Sequence, residues 1–244
     1  MAQPVRFEDD LGQVCLLIKS IYGLKQAGQV WNIEFDLAMQ KYGYKPLISD
    51  PCTYILRQGK DFVIITVWVD NLLLFETLDE LIEQTVAQLK AEWEITDLGE
   101  PVKIVGIKIA LGDRSVTISQ CWYLESILCK EHMDMANLVG MPLDPNIVLE
   151  LNPDGNTGDH SNSYTRLIGE LQFIANVTRP DIAYTISRLL FYTTNPMLQH
   201  ISALKRVLRY LSGTRSYGIT YSDILRHPNY FLGYADAAFA NADN

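Results

Sequence analysis

Between Asp61 and Phe75 the chain reads DFVIITVWVDNLLLF. Two runs of β-branched, aromatic and aliphatic residues flank one polar step, Asp70-Asn71. Each run suits a buried strand and the polar step suits a tight turn, so the pattern predicts a β-hairpin. A carboxylate at the tip of a buried hairpin is an uncommon place for a charge, and a metal ion is the usual reason to keep one there.

The same reading extends along the chain. Val14 to Ile18 reads as a short strand. Gln26 to Lys41 has helical period, with Val30, Ile33, Phe35, Leu37 and Ala38 supplying most of an apolar face, and Gly43 stops it. Cys52 to Leu56 reads as a strand ahead of the Asp61–Phe75 hairpin. Leu78 to Trp93 places Leu81, Ile82, Thr85, Leu89 and Trp93 on one helix face, with Asp79, Glu80 and Glu83 near the N-terminus where the helix dipole favours them. Val102 to Ala110 and Ser115 to Ser119 form a second predicted hairpin around Gly112-Asp113, and Trp122 to His132 a helix. Pro142 to Ser163 is rich in Pro, Asn, Asp and Gly and reads as a linker. Beyond it come three helical stretches, Tyr164 to Val177, Pro180 to Tyr192 and His200 to Leu211, and two strands, Gly218 to Ser222 and Tyr230 to Ala235.

Composition narrows the class. The 244 residues are 48% hydrophobic and 20% charged, which is a folding composition. The net charge of −9 argues against a non-specific nucleic-acid coat protein and leaves room for a local basic groove. Cys15, Cys52, Cys121 and Cys129 are too scattered to pair as Cys-x-x-Cys, and the four histidines lie apart, so no zinc ligand set emerges. Reduced, mostly buried thiols in a cytosolic or nuclear protein are expected. Residues 1–13 are polar and acidic, unlike a secretory leader, and no apolar run reaches the roughly 18 residues of a membrane span.

Several segments in order then carry a resemblance: Ile21 to Ala27 (IYGLKQA) followed by Trp31, Trp68-Val69-Asp70-Asn71, Asp97-Leu98-Gly99 with Gly106 to Ile109, Tyr164 to Gly169 (YTRLIG), Thr178 to Ile182 (TRPDI), Ala203 to Thr214 (ALKRVLRYLSGT) and Gly233 to Ala240 (GYADAAFA). Together they resemble the reverse transcriptase region of copia-type LTR retrotransposon Pol polyproteins, running into the start of RNase H. The resemblance implies an α+β fold: a polymerase palm-like antiparallel sheet with packed helices, a helical thumb-like or connection region, and the first strands of an RNase H-like domain. It places the partial palm and primer-grip region in 1–141, a linker in 142–163, the helical region in 164–215 and the RNase H start in 216–244. Residues 1–7 resemble the family's segment just after its first catalytic aspartate, so the fingers, the first palm strand and that aspartate are expected to be absent. Asp9 and Asp10 read as solvated surface acids.

The resemblance also implies chemistry. Nucleotidyl transfer in this family uses two magnesium ions held by converging carboxylates, two of them at the hairpin turn. Asp70 keeps the first. Asn71 replaces the second and removes one unit of negative charge where two dications must sit close together. Tyr22, Gly23, Lys25 and Gln26 match the motif beside the template and incoming nucleotide, where Lys25 can pair with phosphate; Gly28-Gln29 stand where the family continues Pro-Arg. Gly106 and Ile107 match the primer-grip strand, with Lys108 where the family favours an acid. Lys205, Arg206 and Arg209 share one helix and are candidates for contact with a nucleic-acid backbone or simply a solvated face. Arg179-Pro180-Asp181 reads as a structural helix start. Asp236 matches the first RNase H metal ligand, in an incomplete site. Partners implied are an RNA template, a DNA primer or RNA–DNA hybrid, and the rest of the Pol polyprotein; no membrane is implied. The expectation is an intracellular, non-secreted chain that does not polymerise alone. A binding module without catalysis, domesticated from a transposon, and a non-functional transposon remnant are the alternatives.

Overall fold

In the computed structural model, residues 2–3, 6–7, 11–152 and 161–222 are described. They fall into two compact units divided between Pro101 and Val102, each with its own core. The fold is mixed α and β, with two antiparallel four-stranded sheets and packed helices.

The first unit holds helix α1 (Ala27–Lys41), strands β1 (Lys45–Pro46), β2 (Thr53–Gln58), β3 (Asp61–Trp68) and β4 (Asn71–Glu76), and helix α2 (Asp79–Glu92). The strands form a meander in the order β1-β2-β3-β4. β3 is half-buried rather than buried as the apolar run implies: Val63 and Ile65 enter the core and their neighbours do not, the period-2 alternation of a one-faced sheet. Helix α1 packs through Trp31, Phe35, Ala38 and Met39, one helical stripe. Val30, Ile33 and Leu37, read from sequence as part of the packed face, are exposed because they fall outside that stripe. Helix α2 buries Leu81, Thr85 and Leu89 as its period requires, and the Thr85 hydroxyl meets the Tyr44 hydroxyl at 2.7 Å. Val14 to Ile18 forms no strand: Val14, Leu16 and Ile18 are exposed, with no neighbouring strand among the described residues to pair with.

The second unit contains β5 (Lys103–Ile104), β6 (Ile107–Gly112), β7 (Ser115–Ser119), α3 (Cys121–Lys130), α4 (Ser161–Val177), a 3-10 turn (Pro180–Ile182), α5 (Ala183–Leu190), α6 (Leu198–Gly213) and β8 (Ile219–Ser222). The stretch read as one strand from Val102 to Ala110 breaks at Val105-Gly106, both with positive φ (47° and 79°). That pair of left-handed residues turns the chain back on itself, so Ile104 pairs with Ile107 and Lys103 with Lys108. β8 pairs with β7 as an edge strand, Ile219 opposite Ile118 and Ser222 opposite Ser115. Gly218 sits just before it, where a Cβ would meet the Ile118 carbonyl oxygen at 2.3 Å, so only glycine permits this approach.

The core of this unit is helical. Leu124 and Leu128 of α3, Ile168 and Leu171 of α4, Ile186 and Leu189 of α5 and Val207 and Leu211 of α6 are all buried. Leu143, Ile147 and Leu149, in the Pro/Asn/Asp/Gly-rich stretch, pack onto the same core. The expectation of mostly buried thiols is corrected: Cys15 and Cys121 are half-buried, and Cys52 and Cys129 are exposed. The strand read at 230–235, and Asp236, lie outside the described residues.

Candidate functional site

The hairpin tip forms one residue earlier than its polar step suggests. Trp68 pairs with Asn71, so the two-residue turn is Val69-Asp70 and Asn71 opens β4. Val69 has φ +58°, an uncommon conformation for a β-branched residue, and it is 55% exposed. Asp70 and Asn71 are exposed too, so the carboxylate stands in solvent at the tip of the sheet. The Asn71 amide Nδ2 donates to Asp70 Oδ1 at 3.3 Å.

The tip is held from behind. The Trp31 indole Nε1–H donates to the Val69 carbonyl at 2.8 Å. Trp31 in turn belongs to an aromatic cluster: its ring lies 5.6 Å from Phe35 and 5.4 Å from Trp93, and Phe35 stacks on Trp93 at 5.3 Å. Such pairs add to area burial and fix ring orientation. Burial, helped by the charge of Asp36, pushes the Tyr54 phenol beside Phe35 up to about 12, so it stays protonated.

Tyr22, Gly23, Lys25 and Gln26 precede α1 and are all exposed. Gly23 takes φ +90° and successive turns lead into the helix, Ala27 N–H bonding Leu24 and Val30 N–H bonding Gln26. Gln26 precedes the first helical residue without capping it through its side chain. Trp31, just over one turn later, is the physical link from this segment to the Val69-Asp70 tip.

In the second unit, Gly106 and Ile107 form the end of the β5–β6 turn. Arg206 and Arg209 are only half exposed and spend their charge within the unit: Arg206 lies 3.9 Å from Asp144, and Arg209 Nε donates to the Asn137 carbonyl. Lys205 is exposed. Arg215, just beyond the helix, donates to Asp134 and Ser212.

The sequence reading of Arg179-Pro180-Asp181 as structural understated Arg179. Its side chain is 3% exposed, it bonds both Asp181 oxygens, and it donates to the carbonyl and hydroxyl of Thr214 at 2.9 and 2.6 Å. It also lies over the rings of Tyr210 and Tyr217 at 5.6 and 5.4 Å. Burial alone would raise the Asp181 carboxyl, but hydrogen bonds from Arg179 and Tyr210 and the Arg179 charge outweigh it and hold the group below its ordinary value. Arg179 thus joins the start of α5 to the end of α6. A buried arginine of this kind gives no period-based signal.

The magnesium expectation meets a poor ligand set. Among the described residues there is no group of three or more His, Cys, Asp or Glu side chains placed to hold a metal. At the tip one carboxylate stands beside an amide whose NH2, not its oxygen, faces it. Two hard dications require several converging oxygens, and the residues present do not fit that pair of ions.

With this geometry in hand, the similarities carry weight. The family described as reverse transcriptase (RNA-dependent DNA polymerase) matches residues 1–145. The chain is 34% identical over 221 residues to the retrovirus-related Pol polyprotein from transposon RE1 of Arabidopsis thaliana, covering 90% of this chain and 15% of that protein. It is 34% identical over 224 residues to the Pol polyprotein from transposon TNT 1-94 of Nicotiana tabacum, covering 88% of this chain and 17% of the relative. A putative transposon Ty5-1 protein of Saccharomyces cerevisiae is 28% identical over 206 residues and is covered over 67% of its length. No solved structure matches. The chain belongs to the reverse transcriptase family and corresponds to a stretch of a copia-type retrotransposon Pol polyprotein. As a class these enzymes act on nucleic acids and use divalent metal. The chain spans about 15% of the length of the Pol relatives. Among the described residues no helix is long and apolar enough to cross a membrane.

Proposed function

We propose that this chain is a reverse transcriptase segment that engages an RNA–DNA template–primer but does not extend it by itself. The observation that carries the reading is the Val69-Asp70 tip: one solvent-facing carboxylate, hydrogen-bonded to an amide where the family has a second acid. In the parent polyprotein the reaction would be RNA-directed DNA polymerisation by the two-metal route. The segment present here supplies Asp70, while Tyr22, Gly23, Lys25 and Gln26 are exposed and free to meet template and nucleotide.

The proposal assigns residues 1–141 to palm and primer-grip elements, 142–163 to a linker, 164–215 to a helical thumb-like region and 216–244 to the start of RNase H. Gly106 and Ile107 then serve the primer end, Lys205 is the exposed member of the Lys205, Arg206 and Arg209 set, and Asp236 begins an RNase H site. The chain belongs inside the cell with the rest of Pol. A second reading, a domesticated nucleic-acid or protein binding module without catalysis, is favoured by Asn71; it makes Lys25, Arg206 and Arg209 matter more than Asp70. Anisotropy of a labelled RNA–DNA hybrid tests the two. Weakening by Lys25→Glu with indifference to Asp70→Ala supports binding alone. Unchanged hybrid affinity in both variants, or no affinity in the unsubstituted chain, contradicts both.

A further inference from the structure

Strand β4 pairs with β3 alone among the described residues, and its other side is open. Antiparallel neighbours alternate between residues that exchange hydrogen bonds and residues that do not. The Thr77 N–H donates to the Phe62 carbonyl at 3.2 Å, which fixes the phase of this ladder. Phe75, Leu73 and Asn71 therefore bond to β3, and Leu72, Leu74 and Glu76 turn their N–H and C=O groups to the open side. Val67, opposite Leu72, agrees: its N–H points away from β4 and donates to the Cys52 carbonyl at 2.9 Å. The two edges of the sheet are unlike. β1 is only Lys45-Pro46, a charge and a residue without an N–H, and both block strand addition. β4 offers six residues with no lysine or proline and one charge, Glu76, at its end. Leu72 and Leu74 pack toward the α1 and α2 core, so Leu73 and Phe75 lie on the opposite face, where Phe75 is 49% exposed.

We infer that β4 pairs with β4 of a second copy of this chain, antiparallel about a two-fold axis at Leu74. Leu74 then faces Leu74 of the second copy and Leu72 faces its Glu76, so every outward N–H of one strand meets an outward carbonyl of the other. Leu73 and Phe75 become close cross-strand neighbours, once on each side of the axis. An axis at Leu73 would instead leave the Glu76 backbone unpaired and set Asn71 against Phe75. With the axis at Leu74, the two Glu76 residues stand four residues apart along the ladder, about 13 Å at about 3.3 Å each, beyond the reach of strong repulsion in physiological salt. Because β1 resists strand addition, the pairing closes as a two-fold dimer and does not grow into a filament. One strand pair is small beside the roughly 1,600 Å² of a standard interface, so dimer and monomer exchange in solution. The surface is separate from the Tyr22–Gln26 segment, and the inference does not depend on what that segment binds.

The test is sedimentation equilibrium of the 244-residue chain over a concentration series, with amide hydrogen exchange in parallel. A monomer–dimer equilibrium is expected, tightened by added salt because each copy carries a net charge of −9. The Leu72, Leu74 and Glu76 amides should exchange slowly at high concentration and fast at low, while Leu73 and Phe75, bonded to β3, stay slow throughout. Phe75→Lys, at an exposed position off the core, removes both cross-strand pairs and should weaken the dimer about tenfold. Leu74→Pro deletes the central outward N–H, leaves the β3 ladder whole and should abolish the dimer; Phe75→Lys keeps the test decisive should that variant not fold. Phe191→Lys, at an exposed apolar position of the second unit, should change nothing. A monomer at every concentration overturns the inference, and slow outward amides in that monomer would mean that another segment of the same chain covers the edge. A dimer indifferent to Phe75→Lys, or one whose outward amides stay fast, forms through another surface and overturns it as well.

Discussion

The Trp31 indole N–H and the Val69 carbonyl meet at 2.8 Å across 38 residues of sequence. This bond fastens the helix after the Tyr22–Gln26 segment to the hairpin tip that presents Asp70. It also falls on the residue whose backbone is most strained at that tip, Val69 with φ +58°. A left-handed conformation in a β-branched residue is held only where its surroundings over-determine it.

Two substitutions separate the clasp from the strain. Trp31→Phe keeps a ring against Phe35 and Trp93 but removes the donor, and should cost about 1 kcal/mol, the usual worth of one hydrogen bond. Val69→Gly relieves the positive φ at an exposed site and should leave stability unchanged or raise it by about 1 kcal/mol. Urea unfolding measures both. In the Trp31→Phe protein, faster amide exchange confined to Val69, Asp70 and Asn71 is expected, and uniform acceleration across the first unit would show that ring packing rather than the bond had been disrupted.

Removing the acid of the buried Arg179 network should be much costlier than its exposed counterparts. Asp181→Asn leaves the Arg179 charge, 3% exposed, without its counter-ion, and a loss of about 3 kcal/mol is expected. A cost near that of Glu92→Gln, whose ion pair with Lys41 is solvent-facing, would contradict this account. The native Asp181 carboxyl is held below its ordinary 3.8. Its contribution is therefore fully present above that pH and is lost as pH falls through the depressed native value.

Mild acid should act through His200. The ring is fully buried, stacks on Tyr192 at 3.9 Å, and its Nδ1 accepts the Met197 N–H at 2.8 Å. Burial lowers its pKa from 6.5, with the Glu150 backbone opposing more weakly. The neutral ring is the folded form, so its stabilisation is whole above 6.5 and declines as pH falls from there toward the native value. Thermal melts at about pH 7 and about pH 5 should show a drop for the unsubstituted chain that is smaller in His200→Gln. An equal drop in both would place the acid sensitivity elsewhere.

The hairpins and most helices were legible in the residue pattern because their periods are local. Leu81, Thr85 and Leu89 on α2 needed only a helical count. The turns slipped because polarity pointed one way and strand pairing another: Trp68 opposite Asn71 puts apolar Val69 in the turn, and Ile104 opposite Ile107 makes a corner of Val105-Gly106. Helix α1 shows the same limit, since its apolar residues exceed what one face buries. Of the candidate site, the Asp70 tip is legible in the hairpin pattern itself, and the Tyr22–Gln26 segment only through resemblance. The Trp31 bond and the Arg179 network were hidden, because each joins residues that sequence spacing does not relate.

The central claim is most directly tested by primer extension on an RNA template with magnesium and all four deoxynucleotides, using the 244-residue chain at concentrations that saturate hybrid binding. The account predicts a bound primer and no incorporation. Template-dependent incorporation that disappears in Asp70→Ala would contradict it, and would mean that Asp70 and Asn71 suffice where two acids were thought necessary.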